Sequence, residues 1–365
     1  MGVTLAKTWR GLFLKVTAFE NLFAAYRKAR LGKRWREDVA TFDFHLETNL
    51  WALKEELDGG TYRPGSYESF FVFEPKRRLV SKAPFRDRVV HHALVNVLEP
   101  LYEPTFIFDS YACRKDKGTH RAIDRCQEHV KRYRYCLKGD LVKFFPSVDH
   151  QVMLSILATK ILDARLMDLL ARILDGGKDV LESEYPMHFF PGDDLLACCR
   201  PRGLPIGNLT SQFLSNVLLN ELDRFVKGEL RARAYVRYGD DFLLFADDKR
   251  SLHAARDGIA ARLEPLRLLL HPRKTQVMTA RDGIAFLGFR IFPHRRKLLR
   301  NNIAIATARC RALSRAYARG EVDVGKVSAS VLSWVAHAKH GHTRAIRRNV
   351  LTHLRLRREA ARASA

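Results

Sequence analysis

Two adjacent acids at the tip of an apolar run, Asp240 and Asp241 in "AYVRYGDDFLLFADD", are the residues of this sequence best placed to do chemistry. Their flanks are β-formers: Tyr235, Val236 and Tyr238 before, Phe242, Leu243, Leu244 and Phe245 after. The pattern predicts two strands joined by a tight turn, with Gly239 supplying the dihedrals that such a turn needs. An ordinary hairpin takes Asn-Gly or Asp-Gly and has no use for a second, repelling carboxylate. Acids fixed on a rigid hairpin suit a divalent cation held between them. A solvated turn with a spare charge is the alternative.

A further acid stands in "YCLKGDLVKFFPSVDH". Asp140 comes late in an apolar strand, where a buried carboxylate is costly unless paired or metal-bound. A strand acid and a hairpin doublet, about 100 residues apart, can set three carboxylates around two Mg²⁺ ions. Two such ions about 3.5–4 Å apart activate an attacking hydroxyl and stabilise a leaving pyrophosphate. Neither GxxxxGKS/T nor GxGxxG occurs, so the acids point to nucleotidyl transfer more than to ATP hydrolysis.

The charge agrees. Lys and Arg number 64 against 40 Asp and Glu, a formal +24 over 365 residues. From Pro293 to Ala365 there are 17 Lys and Arg against 3 Asp and Glu, so +14 lies in the last 73 residues. Such an excess is a footprint for a polyanion. Its interleaving with Tyr317, Trp334 and aliphatics favours a folded nucleic-acid module over a solubilising tail or a membrane-surface helix. No apolar run approaches the ~20 residues of a membrane span, and "MGVTLAKTWRGLFLKV" lacks the pattern of a secretory leader. Six cysteines without a C-x-x-C support neither a zinc site nor a disulfide framework, so a cytoplasmic location is expected. The histidines of "HAKHGH", His337, His340 and His342, read as a polar helix end more than as a metal site.

The elements that must position these acids are legible in outline. Residues 15–58 carry apolar residues at three- and four-residue spacing and end on Gly59-Gly60, which predicts helices. "YESFFVFEP" and "RRLVSKAP" predict a hairpin, "DRVVHHALVNVLEPLYE" a helix, and "YCLKGDLVKFF" a strand running into a turn at Pro146. Helical pattern runs from Met153 to Leu174, followed by an insert over about 176–202 that is long for a structureless loop. "NLTSQFLSNVLLNELDRFVKGEL" predicts a helix with Leu214, Val217, Leu218 and Leu222 on one face and Ser211, Ser215 and Asn216 elsewhere. After the Asp-Asp hairpin come a helix, strands around "QVMTARDGIAFLGFRIF", and a basic helical end. The order predicts an α+β fold with an antiparallel sheet rather than repeated parallel βαβ units.

With these motifs in view, the chain resembles a bacterial group II intron-like reverse transcriptase, most like those of diversity-generating retroelements. The resemblance runs from about Phe19 to about His340. "RRLVSKAPFRDRVVHHAL" and "DSYACRKDKGTHRAI" match the fingers motifs, and "KGDLVKFFPSVDH" the first catalytic motif of the palm. "RGLPIGNLTSQFLSN" matches the motif lining the nucleotide site, "YGDD" the second catalytic motif, and "HPRKT" the lysine motif. "FLGFRI" matches the primer grip and "SWVAHAKH" the thumb. The resemblance implies a right-hand polymerase: fingers over 1–134 with an N-terminal helical extension, palm over 135–292 with helices 150–175 contributing to the fingers, and a basic helical thumb over 293–365.

It also implies roles. Asp140 and Asp240 would bind two Mg²⁺ ions, with Mn²⁺ a possible substitute, Asp241 in support and the Leu141 carbonyl completing one shell. Arg78 would reach the incoming triphosphate, where guanidinium geometry suits phosphate; a surface arginine is the alternative, as it is for Arg77. Lys274 would approach the leaving pyrophosphate. Ile206 and Gly207 would line the nucleotide site, Phe286, Leu287, Gly288 and Phe289 would place the primer end, and Arg86, Arg88, Trp334 and His337 would meet template and duplex. Phe145 stands where reverse transcriptases carry an aromatic gate against the ribose 2′-hydroxyl, although Phe144 or Phe145 could merely pack the palm. Ile206 replaces the glutamine of many relatives, a feature of error-prone retroelement enzymes.

The implied activity is RNA-directed DNA synthesis from dNTPs on an RNA template with a primer strand. Possible additional partners are a structured non-coding RNA and a small basic accessory protein. The gene would be bacterial or phage-encoded. Alternatives are an orphan or antiphage-defence reverse transcriptase, an RNA-dependent RNA polymerase, and a non-catalytic RNA-binding scaffold. Gly239, where Met or Ala is commoner, and the long insert are departures from the retroelement pattern.

Overall fold

The computed structural model describes residues 8–73 and 77–358. The first seven residues, the tip of the first hairpin and the extreme end of the basic region lie outside the described residues. Helices α1 (Phe13–Thr17), α2 (Phe19–Arg30), α3 (Glu37–Phe44) and α4 (Leu46–Asp58) come first, followed by the hairpin β1 (Glu68–Val72) and β2 (Arg78–Lys82). Then come α5 (Phe85–Tyr102), α6 (Thr119–Arg132), β3 (Tyr135–Gly139), α7 (Phe144–Ser147), α8 (His150–Ala158), α9 (Ala164–Asp175) and α10 (Leu209–Arg224). The hairpin β4 (Tyr235–Tyr238) and β5 (Asp241–Ala246) leads into α11 (Lys249–Leu263) and β6 (Gln276–Thr279). Strands β7 (Ile284–Phe286), β8 (Phe289–Ile291) and β9 (Arg296–Leu298) precede α12 (Arg300–Ala318), α13 (Val324–Ala338) and α14 (Arg344–Leu351).

The expected α+β fold with antiparallel sheets is present. The central sheet has the order β4-β5-β3-β6, and every pairing in it is antiparallel. Period-two alternation buries both of its faces. Tyr235, Leu137, Phe242 and Leu244 turn toward a core shared with α2, α4, α5, α8, α9, α10 and α11. Cys136, Val236, Leu243 and Phe245 turn toward a second core with α6 and β7–β9. The first core runs from Trp9 to Leu268, so no break in packing marks the boundary expected at 134/135.

Three expectations are refined. Helix α10 buries nearly every side, Ser211, Ser215 and Asn216 included, because their polar groups find partners such as the carbonyls of Pro205, Gln212 and Ala112. The region after Pro293 does not begin as helix: β9 first pairs with β8, burying Leu298. The insert is partly ordered, with 3₁₀ turns at Glu182–Glu184 and Leu195–Cys199. It is tied down by Asp193, which accepts from Arg267 at 2.7 Å, and by Arg200, which donates to Asp149 at 2.6 Å.

Candidate active site

The hairpin tip is tight for a definite reason. Tyr238 pairs with Asp241, leaving Gly239 and Asp240 as a two-residue loop. Gly239 has φ +64 and Asp240 is not among the residues with positive φ, the sign pattern of a type II′ turn, which takes glycine at its first central position. The turn therefore accounts for glycine where the resembling family more often has Met or Ala.

Asp140 follows directly on β3, the strand beside β5. It is preceded by Gly139, which pairs with Phe242; a Cβ built at Gly139 runs into the Phe242 ring. Beyond Asp140 the chain bonds to the segment after α11: Leu141 bridges Leu270, Val142 donates to the Leu269 carbonyl at 2.9 Å, and His271 donates to the Asp140 carbonyl at 2.8 Å. That pairing delivers Lys274, whose Nζ lies 2.5 Å from the Asp140 carboxylate.

Asp140 and Asp240 are thus brought together. Burial pushes the Asp240 carboxyl up and its own backbone N–H pulls it down; the Asp140 charge raises it further, and Arg78 and Lys274 lower it, leaving it above the usual carboxylate range. Two hard oxygen donors that repel each other in a partly buried place fit Mg²⁺ or Mn²⁺ chemistry, and the Lys274 ammonium already compensates one of them. Asp241 opens β5 opposite Tyr238. Among the described residues, no group of three or more His, Cys, Asp or Glu side chains is placed to hold a metal.

The other predicted residues fall into three places. The first is β2 and the loop before α10. Ser81 N–H donates to the Ile206 carbonyl at 2.7 Å and Asn208 donates to the Ser81 carbonyl at 3.0 Å. Gly207, at φ +115, permits this approach, since a Cβ there would lie 3.0 Å from Val80. The hairpin bearing Arg78 is so docked on the loop bearing Ile206. Arg78 is exposed and its charge acts on Asp240, whereas Arg77 sits over the Phe71 ring at 4.0 Å. Phe144 is 2% exposed in the core, and Phe145, half-buried, meets it edge-on at 5.3 Å.

The second place is the β7–β8 turn. Leu287 (φ +45) and Gly288 (φ +91) form its two-residue loop between the paired Phe286 and Phe289. Positive φ at both is the type I′ pattern, and a leucine there is strained. The Gly288 carbonyl accepts from Leu299 N–H at 3.0 Å and from Asn302 at 3.3 Å, which holds the turn against α12. The third place is the periphery. Arg86 pairs with Glu56, and Arg88, largely buried, pairs with Asp38. Trp334 and His337 turn inward: Trp334 packs between two cores, and His337 lies 4.9 Å from the Phe289 ring and 3.4 Å from His120.

Arg237, Asp223 and Asn216, to which no role was assigned from sequence, pack behind the hairpin. Arg237 is 1% exposed and donates to Asp223 at 2.6 Å. The available signal was an arginine inside an apolar strand, "YVRY", whose charge needs a buried acid.

Residues 73–291 match the family described as "Reverse transcriptase (RNA-dependent DNA polymerase)", a span that contains both acids, the lysine and the two loops. Over 290 residues the chain is 29% identical to "Protein YkfC" of Escherichia coli K12, covering 68% of this chain and 73% of that one. Over 213 residues it is 26% identical to "Group II intron-encoded protein LtrA" of Lactococcus lactis, covering 57% and 33%. It is 30% identical over 168 residues to a 91 kDa protein in the cob intron of Schizosaccharomyces pombe, covering 43% and 19%.

Proposed function

The chain belongs to the reverse transcriptase family, of the group II intron-like kind, and is an RNA-directed DNA polymerase, a nucleotidyltransferase; we propose that it makes cDNA on an RNA template by two-metal nucleotidyl transfer at Asp140 and Asp240. The observation that carries the mechanism is the approach of these two carboxylates, from a strand end and a hairpin tip, beside Lys274. Asp140 and Asp240 would hold Mg²⁺, with Asp241 and the Leu141 carbonyl in support. Bound there, the ions would activate the primer hydroxyl and offset charge on the leaving pyrophosphate. Arg78 would hold the triphosphate of the incoming dNTP and Lys274 would neutralise the departing one. Phe145 would exclude the ribose 2′-hydroxyl, and the strained turn at Leu287-Gly288 would seat the primer end.

The proposed layout is fingers to residue 134, palm over 135–292, and thumb from 293. No helix among the described residues is long and apolar enough to cross a membrane, and we place the enzyme in the cytoplasm with RNA, primer, dNTPs and an accessory protein as partners. The finer proposal is an error-prone retroelement enzyme, supported by Ile206 in the loop docked on β2; antiphage defence is the rival role. The test is primer extension on a defined RNA template with dNTPs or NTPs, with Asp240→Asn as control. Extension with dNTPs that Asp240→Asn abolishes supports the reading; extension with NTPs alone, or none, rejects it. An excess of errors opposite template adenine would support the retroelement role.

A further inference from the structure

Among the described residues, the largest fully buried side chain is a charged one, Arg237. It lies on β4 two residues from the catalytic turn and faces α10, as Tyr235 does on the same side of the strand. Its Nε donates to both Asp223 carboxylate oxygens, at 2.8 and 3.0 Å, and its Nη2 donates to one of them at 2.6 Å. Tyr235 donates its hydroxyl to the same carboxylate at 2.9 Å. Nη1 donates to Asn216 Oδ1 at 3.2 Å and to the backbone carbonyl of Gly239 at 3.1 Å.

We propose that Arg237, held by Asp223 and Asn216, is a positioning residue that fixes the Gly239 carbonyl and thereby the direction of the Asp240 carboxylate. The inference rests on reading Asp140 and Asp240 as the metal-binding pair of a polymerase. The Gly239 carbonyl and the Asp240 N–H belong to one planar peptide. Holding the oxygen holds the whole peptide plane, and with it the Asp240 Cα from which the carboxylate projects. A type II′ turn alone leaves this peptide free to rock, because Gly239 has no side chain and nothing lies within 4 Å of where a Cβ would be.

The same residue ties the turn to a second segment. Arg237 N–H donates to the Asp109 carbonyl and Tyr111 N–H donates to the Arg237 carbonyl, both at 2.9 Å. Asn216 donates its amide to the Ala112 carbonyl at 2.9 Å. The catalytic turn, α10 and residues 109–112 therefore share one rigid anchor. Packing alone does not explain a guanidinium here, since a buried ion pair is often replaced by apolar groups without loss of stability. What apolar groups cannot supply is a donor for the Gly239 carbonyl.

The experiment uses the full chain and two variants. Arg237→Lys keeps a charge for Asp223 but, lacking the planar fork, cannot serve Asp223, Asn216 and Gly239 together. The double variant Arg237→Met with Asp223→Leu removes the pair without stranding a charge. Mn²⁺ affinity is read from the electron paramagnetic resonance of the unbound ion. Single-turnover dTTP incorporation on oligo(dT)·poly(rA) gives the rate, with the dissociation constants for dTTP and duplex measured alongside. The expected result is about a 10- to 100-fold loss in Mn²⁺ affinity and in rate, with dTTP and duplex binding unchanged. A folded variant with wild-type Mn²⁺ affinity and rate overturns the proposal, and if Arg237→Lys does not fold, the double variant decides. If the unsubstituted chain incorporates no dTTP, the polymerase reading fails, and the Mn²⁺ shift alone still decides the positioning role.

Discussion

The ammonium of Lys274 stands 2.5 Å from the Asp140 carboxylate, joined to it across 134 residues of sequence. Half of the lysine side chain is exposed, against 13% of the aspartate, so the ammonium is the partner free to leave. A metal ion at Asp140 must compete with it, and once displaced it is available to the leaving phosphate. Lys274→Ala should therefore do two opposite things: lower the single-turnover rate by about 100- to 10,000-fold, the size of a lost general acid, and lower the Mg²⁺ concentration for half-maximal rate. A Mg²⁺ titration of both proteins reads the two effects together. A raised Mg²⁺ requirement would count against the competition.

Gly139 has no room for a side chain because the Phe242 ring, 1% exposed, lies over it in the sheet. Gly139→Ala should cost about 1–3 kcal/mol through overpacking and displace Asp140, the next residue. Thermal melting should drop and primer extension should fall further than melting accounts for. Adding Phe242→Leu should recover part of both. An unchanged melting temperature in Gly139→Ala would show that the ring moves aside without cost.

The sheet and its acids were legible because their signals are local. Short runs of apolar β-formers in "YCLKG" and "FLLFA" give strands, and a glycine before the two acids gives the tight turn. Arg237 was not legible as an anchor because its partner Asp223 lies on the preceding helix, and only the fold turns the two toward each other. Trp334 and His337, which the resemblance assigns to template and duplex, are half-buried against the β7–β9 unit, a placement that composition alone does not reveal. The pairing of Arg88 with Asp38 was likewise not legible, because 50 residues of sequence separate the two.

Acid should loosen the fold before it protonates the paired aspartates. Burial lowers His91 to about 3 and His92 and His129 to about 4, with neighbouring positive charge adding to it. The unfolded chain binds protons at these sites near pH 6.5, so stability is full above that value and falls as pH drops toward 4. Each histidine contributes a slope of up to about 1.4 kcal/mol per pH unit. Asp87, Glu99 and Asp240, raised by burial, work in the opposite sense over the lower part of this window. Asp38 and Asp149 are lowered despite burial by their Lys and Arg partners, and lose their contribution only below the ordinary aspartate range. Urea unfolding at pH 7, 6, 5 and 4 should show a shallower loss in His91→Leu; the same slope in both proteins would remove His91 from the account.

Helices α12–α14 carry exposed arginines that include Arg311 and Arg315, one turn apart on α12. If this region grips duplex backbone, the logarithm of affinity should fall with log salt by about 0.9 per phosphate neutralised. Replacing Arg311 and Arg315 by Gln should reduce that slope by about two units and leave preference among template sequences unchanged. Filter binding at several salt concentrations measures it, and an unaltered slope would place the contact elsewhere.

Neighbouring phenylalanines separate packing from selectivity. Phe144 is 2% exposed within the main core, whereas Phe145 is half-buried and leans on it edge-to-face at 72°. The Phe145 carbonyl accepts from Leu204 N–H at 2.8 Å, so a change of side chain leaves its backbone anchored to the loop that leads to Ile206. Phe144→Ala should behave as a core truncation and cost about 3–5 kcal/mol, with sugar choice unaffected in whatever protein remains folded. Phe145→Ala should cost much less stability and open the space where a 2′-hydroxyl would sit. Its ratio of ribonucleotide to deoxynucleotide incorporation should rise at least about tenfold, which corresponds to a 1.4 kcal/mol change in discrimination. The measurement is competition between one dNTP and its matching NTP at a single template position, alongside melting of both variants. Equal discrimination in Phe145→Ala and the unsubstituted enzyme would assign Phe145 to packing and return the question of sugar selectivity to the β2–Ile206 junction.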